Sequence, residues 1–248
     1  MTEVTRRVAI VSDASSYVGP ELARLLARRD HDLVLGDPAE GLCEEVEALG
    51  GRAVAVADAR DLRKPEAAAR LVDACLEAFG RIDAAAALTG RIVTGRFLSS
   101  SLDDLRTALV GCVEAPYNFL RAVVPVMVGQ GDGQVLVFTS ATGARPTPGA
   151  PLYSSARAGA NMLVRNVAAE VARHNVQVNA IGTNFMDFPG FLRASRAEHP
   201  EGRARVEAQV PMRRLGQLDE LAHLAGAFLD GTSRFATGQF VAFAGGWA

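Results

Sequence analysis

Three side chains in one short stretch could do proton chemistry. Ser140 is followed thirteen residues later by Tyr153, and Arg157 stands four residues beyond that in Tyr153-Ser154-Ser155-Ala156-Arg157. A free tyrosine is only about 0.1% phenolate at neutral pH, so using one as a base near neutrality takes roughly 3 to 4 kcal/mol of added preference for the ionised form. A guanidinium about 4 Å away, at an effective dielectric of ~20, contributes on the order of 4 kcal/mol and stays charged at any working pH. The spacing therefore reads as a general base, Tyr153, whose phenolate Arg157 favours, with Ser140 donating a hydrogen bond that fixes a substrate oxygen. Each residue alone is ordinary, as a strand-end serine or a surface pair one helical turn apart. The constellation carries the reading.

Such a constellation needs a rigid frame. Short β-type runs alternate with helical segments, the pattern of a parallel sheet with crossover helices on both faces. Strands are predicted at Arg7 to Ser12, Asp32 to Asp37, Arg52 to Ala57, Asp83 to Leu88, Gln134 to Ser140, Gln177 to Ile181 and Gln239 to Phe243, seven in all. Helices are predicted to start near Pro20, near Gly41, at Pro65, after the cap Ser101-Leu102-Asp103-Asp104, at Tyr153 and at Asp219. This places Ser140 at the carboxyl edge of a sheet and Tyr153 and Arg157 on one face of a helix. The expected architecture is a single α/β domain over residues 1–248, a Rossmann-like doubly wound sheet of seven parallel strands. The segment from Gly182 to Arg214 breaks the rhythm with Phe185, Phe188, Pro189, Gly190 and Phe191, and follows the carboxyl end of a strand. Ligands bind there in open α/β sheets, so it is expected to form a pocket wall or lid.

The chain's 248 residues, nearly half of them apolar, suffice for one core. With 26 basic against 28 acidic side chains there is no net field to draw nucleic acid or anionic lipid. Cys43, Cys75 and Cys112 are scattered, which argues against a disulfide framework and a zinc site and for a cytoplasmic protein. The apolar run after Glu3, Arg6 and Arg7 is too short to span a bilayer, so neither a membrane segment nor a targeting signal is expected.

After the first strand comes Ser12-Asp13-Ala14-Ser15-Ser16-Tyr17-Val18-Gly19-Pro20, where a dinucleotide fold places three glycines around a pyrophosphate. Only Gly19 remains. Asp13 adds negative charge where phosphate would sit and Tyr17 adds bulk, so the loop is expected not to hold a dinucleotide, with Tyr17 lining a smaller site instead. A merely divergent loop that still admits a cofactor is the other reading. Asp37 and Asp58, at positions that could face an adenosine, are assigned no role.

On these residues the chain resembles the short-chain dehydrogenase/reductase superfamily over its full length, including Val178-Asn179-Ala180 and Thr237-Gly238-Gln239 with Gly245-Gly246. It departs from the superfamily's active dehydrogenases at the glycine loop, at Ala87-Leu88-Thr89-Gly90, at Cys112 in place of a mid-helix asparagine, and at Arg157 in place of lysine. These departures are similar to the halohydrin dehalogenases, an offshoot with a Ser, Tyr and Arg triad and a halide pocket in place of the dinucleotide. That family's second signature, Ser, twelve residues, Tyr, three residues, Arg, matches fully; the first matches at Tyr17 and Gly19, with Ser12 where threonine is usual. Longer stretches around Ser140, Arg157 and Gly182 to Phe191 look most like the G-type members.

The resemblance implies a cofactor-independent enzyme that converts vicinal halohydrins to epoxides, and in reverse opens epoxides, bulky cyclic ones included, with azide, cyanide or nitrite. It implies Tyr17 and the backbone around Thr183, Asn184, Phe185 and Met186 as the halide or nucleophile site, and Thr142 and Phe188 as substrate wall. The aromatics of this loop read equally well as packing. The resemblance also implies a homotetramer whose tail, with Trp247, reaches a neighbouring site; otherwise Trp247 covers its own core. The residues admit two other functions, an NAD(P)-dependent dehydrogenase with a degenerate loop and a catalytically inactive binding homologue.

Overall fold

The structure, a computed structural model, describes residues 6–248; Glu3 lies outside them. Seven strands form one sheet: β1 (Arg7–Val11), β2 (His31–Gly36), β3 (Ala53–Val56), β4 (Ala84–Leu88), β5 (Gly133–Ser140), β6 (Val176–Thr183) and β7 (Phe240–Phe243). All pair in parallel, in the order β3-β2-β1-β4-β5-β6-β7. The order reverses between β1 and β4, which opens a crevice beyond their carboxyl ends. The expected Rossmann-like α/β architecture is the one observed.

The helices are α1 (Gly19–Arg28), α2 (Leu42–Ala48), α3 (Pro65–Phe79), α4 (Leu102–Leu109), α5 (Ala115–Gln130), α6 (Pro151–Val171), α7 (Pro189–Ser195), α8 (Pro200–Glu207) and α9 (Leu218–Leu229). Helices α3, α5 and α6 cover one face of the sheet through Leu71, Phe119 and Val164, and α1, α2 and α9 cover the other through Leu22, Leu42 and Leu221. Both faces being dry, the central strands carry no polar alternation. Even Ala84-Ala85-Ala86-Ala87, a run with little intrinsic strand preference, is held in β4 by burial on both sides.

Helix starts follow local chemistry. Pro sits in the first turn of α1, α3 and α6, where its missing N–H costs nothing. Ser101 and Asp104 form a reciprocal capping box on α4, and Gln217 and Glu220 do the same for α9. The helix expected after Ser101 is not continuous. A π turn, Val110–Glu114, separates α4 from α5 and carries Gly111 and Cys112; such insertions cluster at functional sites. Nor is the Gly182 to Arg214 segment a plain loop: β6 runs on to Thr183, and α7 and α8 follow. Pro189 and Pro200 start those helices, so the prolines that suggest irregular chain in the sequence are first-turn residues. No helix among the described residues is long and apolar enough to cross a membrane, and no group of three or more His, Cys, Asp or Glu lies close enough to hold a metal.

Candidate active site

A cleft of about 1010 Å³ opens at the carboxyl edge of the sheet and is lined by Ser140, Thr142, Tyr153, Arg157, Tyr17, Thr183, Asn184, Phe185, Met186 and Phe188 among others. Every residue singled out from sequence for chemistry or binding borders it.

Ser140, Tyr153 and Arg157 are buried, at 5%, 7% and 4% exposed. Arg157 Nε donates to Tyr153 Oη at 3.1 Å, one helical turn away, with the guanidinium carbon 5.2 Å from the ring centre. The rest of the fork reaches the end of β4: Nη2 donates to the Thr89 carbonyl at 2.6 Å, and Nη1 to Thr89 Oγ1 at 3.3 Å and the Phe138 carbonyl at 3.4 Å. No carboxylate among the described residues lies within ion-pair distance of this guanidinium. Carbonyl dipoles solvate it, so its full charge remains to act on the oxygen of Tyr153.

Ser140 ends β5 opposite Thr183 of β6. Its hydroxyl donates to the Thr183 carbonyl at 3.3 Å and accepts from Thr142 N at 3.2 Å and Thr142 Oγ1 at 2.9 Å. Two donors occupy its oxygen and its hydrogen rests on the Thr183 carbonyl, so Ser140 offers that hydrogen to a ligand only by turning it away from Thr183. Thr142, expected in the substrate wall, borders the cleft, yet its hydroxyl is spent on Ser140; it orients the serine. Thr89 and Gly90, which hold Arg157, lie in a stretch that departs from a family motif at Ala87, Leu88 and Thr89 but keeps its glycine at Gly90; a side chain held by main-chain carbonyls leaves no signature in residue type.

On the opposite wall Tyr17 Oη donates to Thr183 Oγ1 at 2.8 Å and its ring packs on Phe188, centroids 4.7 Å apart. Burial pushes the pKa of Tyr17 above its ordinary value, the Thr183 hydrogen bond acting the other way, so it stays a neutral hydroxyl. Tyr17 and Phe185 both have left-handed backbone (φ 54° and 56°), a conformation aromatic residues seldom adopt without surrounding support. The support is visible at Phe185, whose ring meets Phe191 at 6.0 Å and Trp247 at 5.4 Å, both edge-on. Met186 is core, packed on the α1 and α9 side. Asn184 N–H bonds the Phe243 carbonyl at 3.3 Å, and Phe185 N–H bonds Asn184 Oδ1 at 2.9 Å. This stretch thus has fewer free donors for an anion than its sequence suggests. Trp247 stands over its own chain: Arg145 stacks on its ring at 4.6 Å and bonds its carbonyl at 2.5 Å.

The residues do not fit a dinucleotide's pyrophosphate. In the loop after β1, Ala14 N–H donates to the Gly36 carbonyl, Ser15 N–H to Asp13 Oδ1 and Gly19 N–H to the Ser16 carbonyl, so these three amides are engaged within the fold. Ser12 Oγ accepts from Leu88 N and ties β1 to β4. Gly19 is needed for close packing, since a Cβ there would strike the Asp13 carbonyl. Asp37 receives three backbone N–H bonds, from Asp58, Ala59 and Arg60, which leaves its carboxylate with a structural task. Beyond Tyr17 the cleft does continue toward Asp13 and Arg60–Arg63.

Comparison with known proteins places this geometry in a family. Residues 14–248 match the family model described as enoyl-(acyl carrier protein) reductase. The oxidoreductase UcpA of Salmonella typhimurium is 31% identical over 247 residues, covering 96% of this chain and 93% of the relative. Acetoin dehydrogenase from Enterobacter cloacae superposes with a TM-score of 0.85 at 28% identity, over 99% of this chain and 96% of that one. A solved structure described as a dehalogenation enzyme superposes with a TM-score of 0.82 at 26% identity, over 99% of both chains. The chain belongs to the short-chain dehydrogenase/reductase family.

Proposed function

We propose that this enzyme is a cofactor-independent halohydrin dehalogenase. One observation carries the reading: a buried guanidinium without a carboxylate partner, hydrogen-bonded to Tyr153 Oη at 3.1 Å. In the proposed reaction Ser140 donates to the hydroxyl oxygen of a vicinal halohydrin and Tyr153 takes its proton. The oxygen's electron pair then closes on the adjacent carbon as the carbon–halogen bond breaks, giving an epoxide, a halide ion and a proton held on Tyr153. In reverse, Tyr153 returns the proton to the opening oxygen while a small anion attacks carbon. The Tyr17 and Thr183 hydroxyls are the donors best placed for the halide, since each can turn its hydrogen outward. The resemblance to a dehalogenation enzyme supports this reading.

A second reading, an NAD(P)-dependent alcohol dehydrogenase, is favoured by the oxidoreductase relatives and by the continuation of the cleft toward Arg60–Arg63. The two separate in one experiment. Halide release from simple bromohydrins and opening of cyclohexene oxide by azide, in nucleotide-free buffer, are expected in the parent protein and lost in Tyr153→Phe. Absence of both activities, together with tight NADH or NADPH binding and nucleotide-dependent alcohol oxidation, would replace the first reading by the second. An intact fold with neither activity is the signature of an inactive binding homologue. A homotetramer is the assembly that the family resemblance implies, and Leu102, Tyr117 and Met162 are exposed apolar side chains on α4, α5 and α6 that an assembly could cover.

A further inference from the structure

Arg157 is placed by the end of β4 as much as by its own helix. Gly90 has a φ of +131°, and a Cβ built there would sit inside the guanidinium, overlapping Nη2 and 2.6 Å from Cζ. The peptide before it supplies the 2.6 Å acceptor for Nη2, and the Thr89 hydroxyl accepts from Nη1 while donating to the Phe138 carbonyl at 3.1 Å. Residue 91 is fixed in turn: a Cβ on Gly111 of the π turn would strike Arg91 Cβ, and Cys112 Sγ lies 3.7 Å from the Arg91 carbonyl. The segment from Thr89 to Arg91 is therefore clamped between the π turn and the guanidinium.

We propose that Thr89 and Gly90 are positioning residues for Arg157, forming a seat shaped for a planar fork beside Tyr153 in this chain. The inference rests on the proposed dehalogenase chemistry for its kinetic readout alone. A side chain at position 90 would push the guanidinium off the Thr89 carbonyl and away from Tyr153. Lysine at 157 has no second arm to place there, so it has no use for the seat.

The test is a double-mutant cycle between Gly90→Ala and Arg157→Lys, read as azide opening of an epoxide with the melting temperature of each variant measured. Gly90→Ala is expected to lower kcat about tenfold, the scale of one charge-assisted hydrogen bond, with KM held, and to have no further effect in the Arg157→Lys background. An equal loss in both backgrounds, or a loss that tracks melting temperature alone, overturns the proposal. Thr89→Val and Thr89→Ser repeat the test without backbone strain: valine lowers kcat, serine restores it, and equal loss in both counts against the seat. A substrate-free readout separates this from the proposed function. In ligand-free crystal structures, the bonds from Arg157 Nη2 to the Thr89 carbonyl and from Nε to Tyr153 Oη should be present in the parent and lost in Gly90→Ala. Unchanged contacts overturn the seat even if dehalogenation is confirmed, and their loss supports it even if the substrate proves to be of another class.

Discussion

Ser140, Tyr153 and Arg157 stand on the end of β5 and on α6, whereas Tyr17, Phe185 and Phe188 stand on the connections after β1 and β6. On the first wall, position follows from strand register and main-chain hydrogen bonds: Ser140 is opposite Thr183, Leu88 opposite Phe138, and the guanidinium reaches carbonyls at the ends of β4 and β5. On the second, position follows from rings packed on rings and from two aromatic residues kept in left-handed backbone. The wall proposed to carry the reaction is built from bonds that are made or unmade. The wall that shapes the ligand is built from contacts that yield by degrees.

Substitutions should therefore split the two walls by kind of failure. The largest effect is expected for Tyr153→Phe, which removes the proton acceptor and should lower kcat by about a hundred- to ten-thousandfold, with the melting temperature unchanged; retention of more than a tenth of the activity would end the general-base role. Arg157→Lys keeps the charge but cannot bond Tyr153 and the Thr89 carbonyl together, and a loss of roughly ten- to a hundredfold is expected in steady-state kinetics. Phe185→Ala should act on stability, by about 3 to 5 kcal/mol in denaturant unfolding, because it empties the space between Phe191 and Trp247. If it instead abolished turnover in a fully stable protein, the division between the walls would be wrong. Tyr17→Phe removes only the hydroxyl bonded to Thr183, and a change of about fivefold in halide inhibition, with kcat nearly constant, is the expected result.

The smallest effect lies far from both walls. His31 is buried at the start of β2, its Nδ1 2.7 Å from the Arg29 carbonyl and its Nε2 accepting from Arg7 Nε at 3.3 Å. Burial lowers its ionisation below the ordinary value near 6.5. The unfolded chain therefore takes up the proton first, and the stability that depends on neutral His31 is present above pH 6.5 and lost as pH falls toward the depressed value of the folded state. Melting temperature should drop on acidification from about pH 7.5 to 5.5, and less steeply in His31→Asn.

How much of this was readable beforehand divides along the same line. The strands, their parallel arrangement and the spacing of Ser140, Tyr153 and Arg157 follow from periodicity and residue type, because a sheet buried on both faces writes itself as apolar runs of set length. The helical character of Pro189 to Glu207 was not readable, since Pro and Gly mark both loops and helix starts. The π turn at Gly111 and Cys112 has no periodic signature at all. Thr142 borders the cleft as expected and also bonds Ser140, a task its residue type does not announce, and Thr89 and Gly90 carry no sequence signal as a site because their contribution is a carbonyl and an absent Cβ. Trp247 touches Arg145 and Phe185 of its own chain, contacts that residue type alone does not announce.

The unpartnered burial of Arg157 also sets how the enzyme should answer to salt. Mobile ions screen exposed charges within about 8 Å at physiological ionic strength, but a guanidinium 4% exposed and wrapped in carbonyls lies beyond their reach. Raising ionic strength with an anion too large for the cleft should leave the rate nearly level, while chloride, bromide and azide should each act at their own concentration. The buried cation thus turns a general sensitivity to electrolyte into a selective one, in which the identity of the anion governs the response.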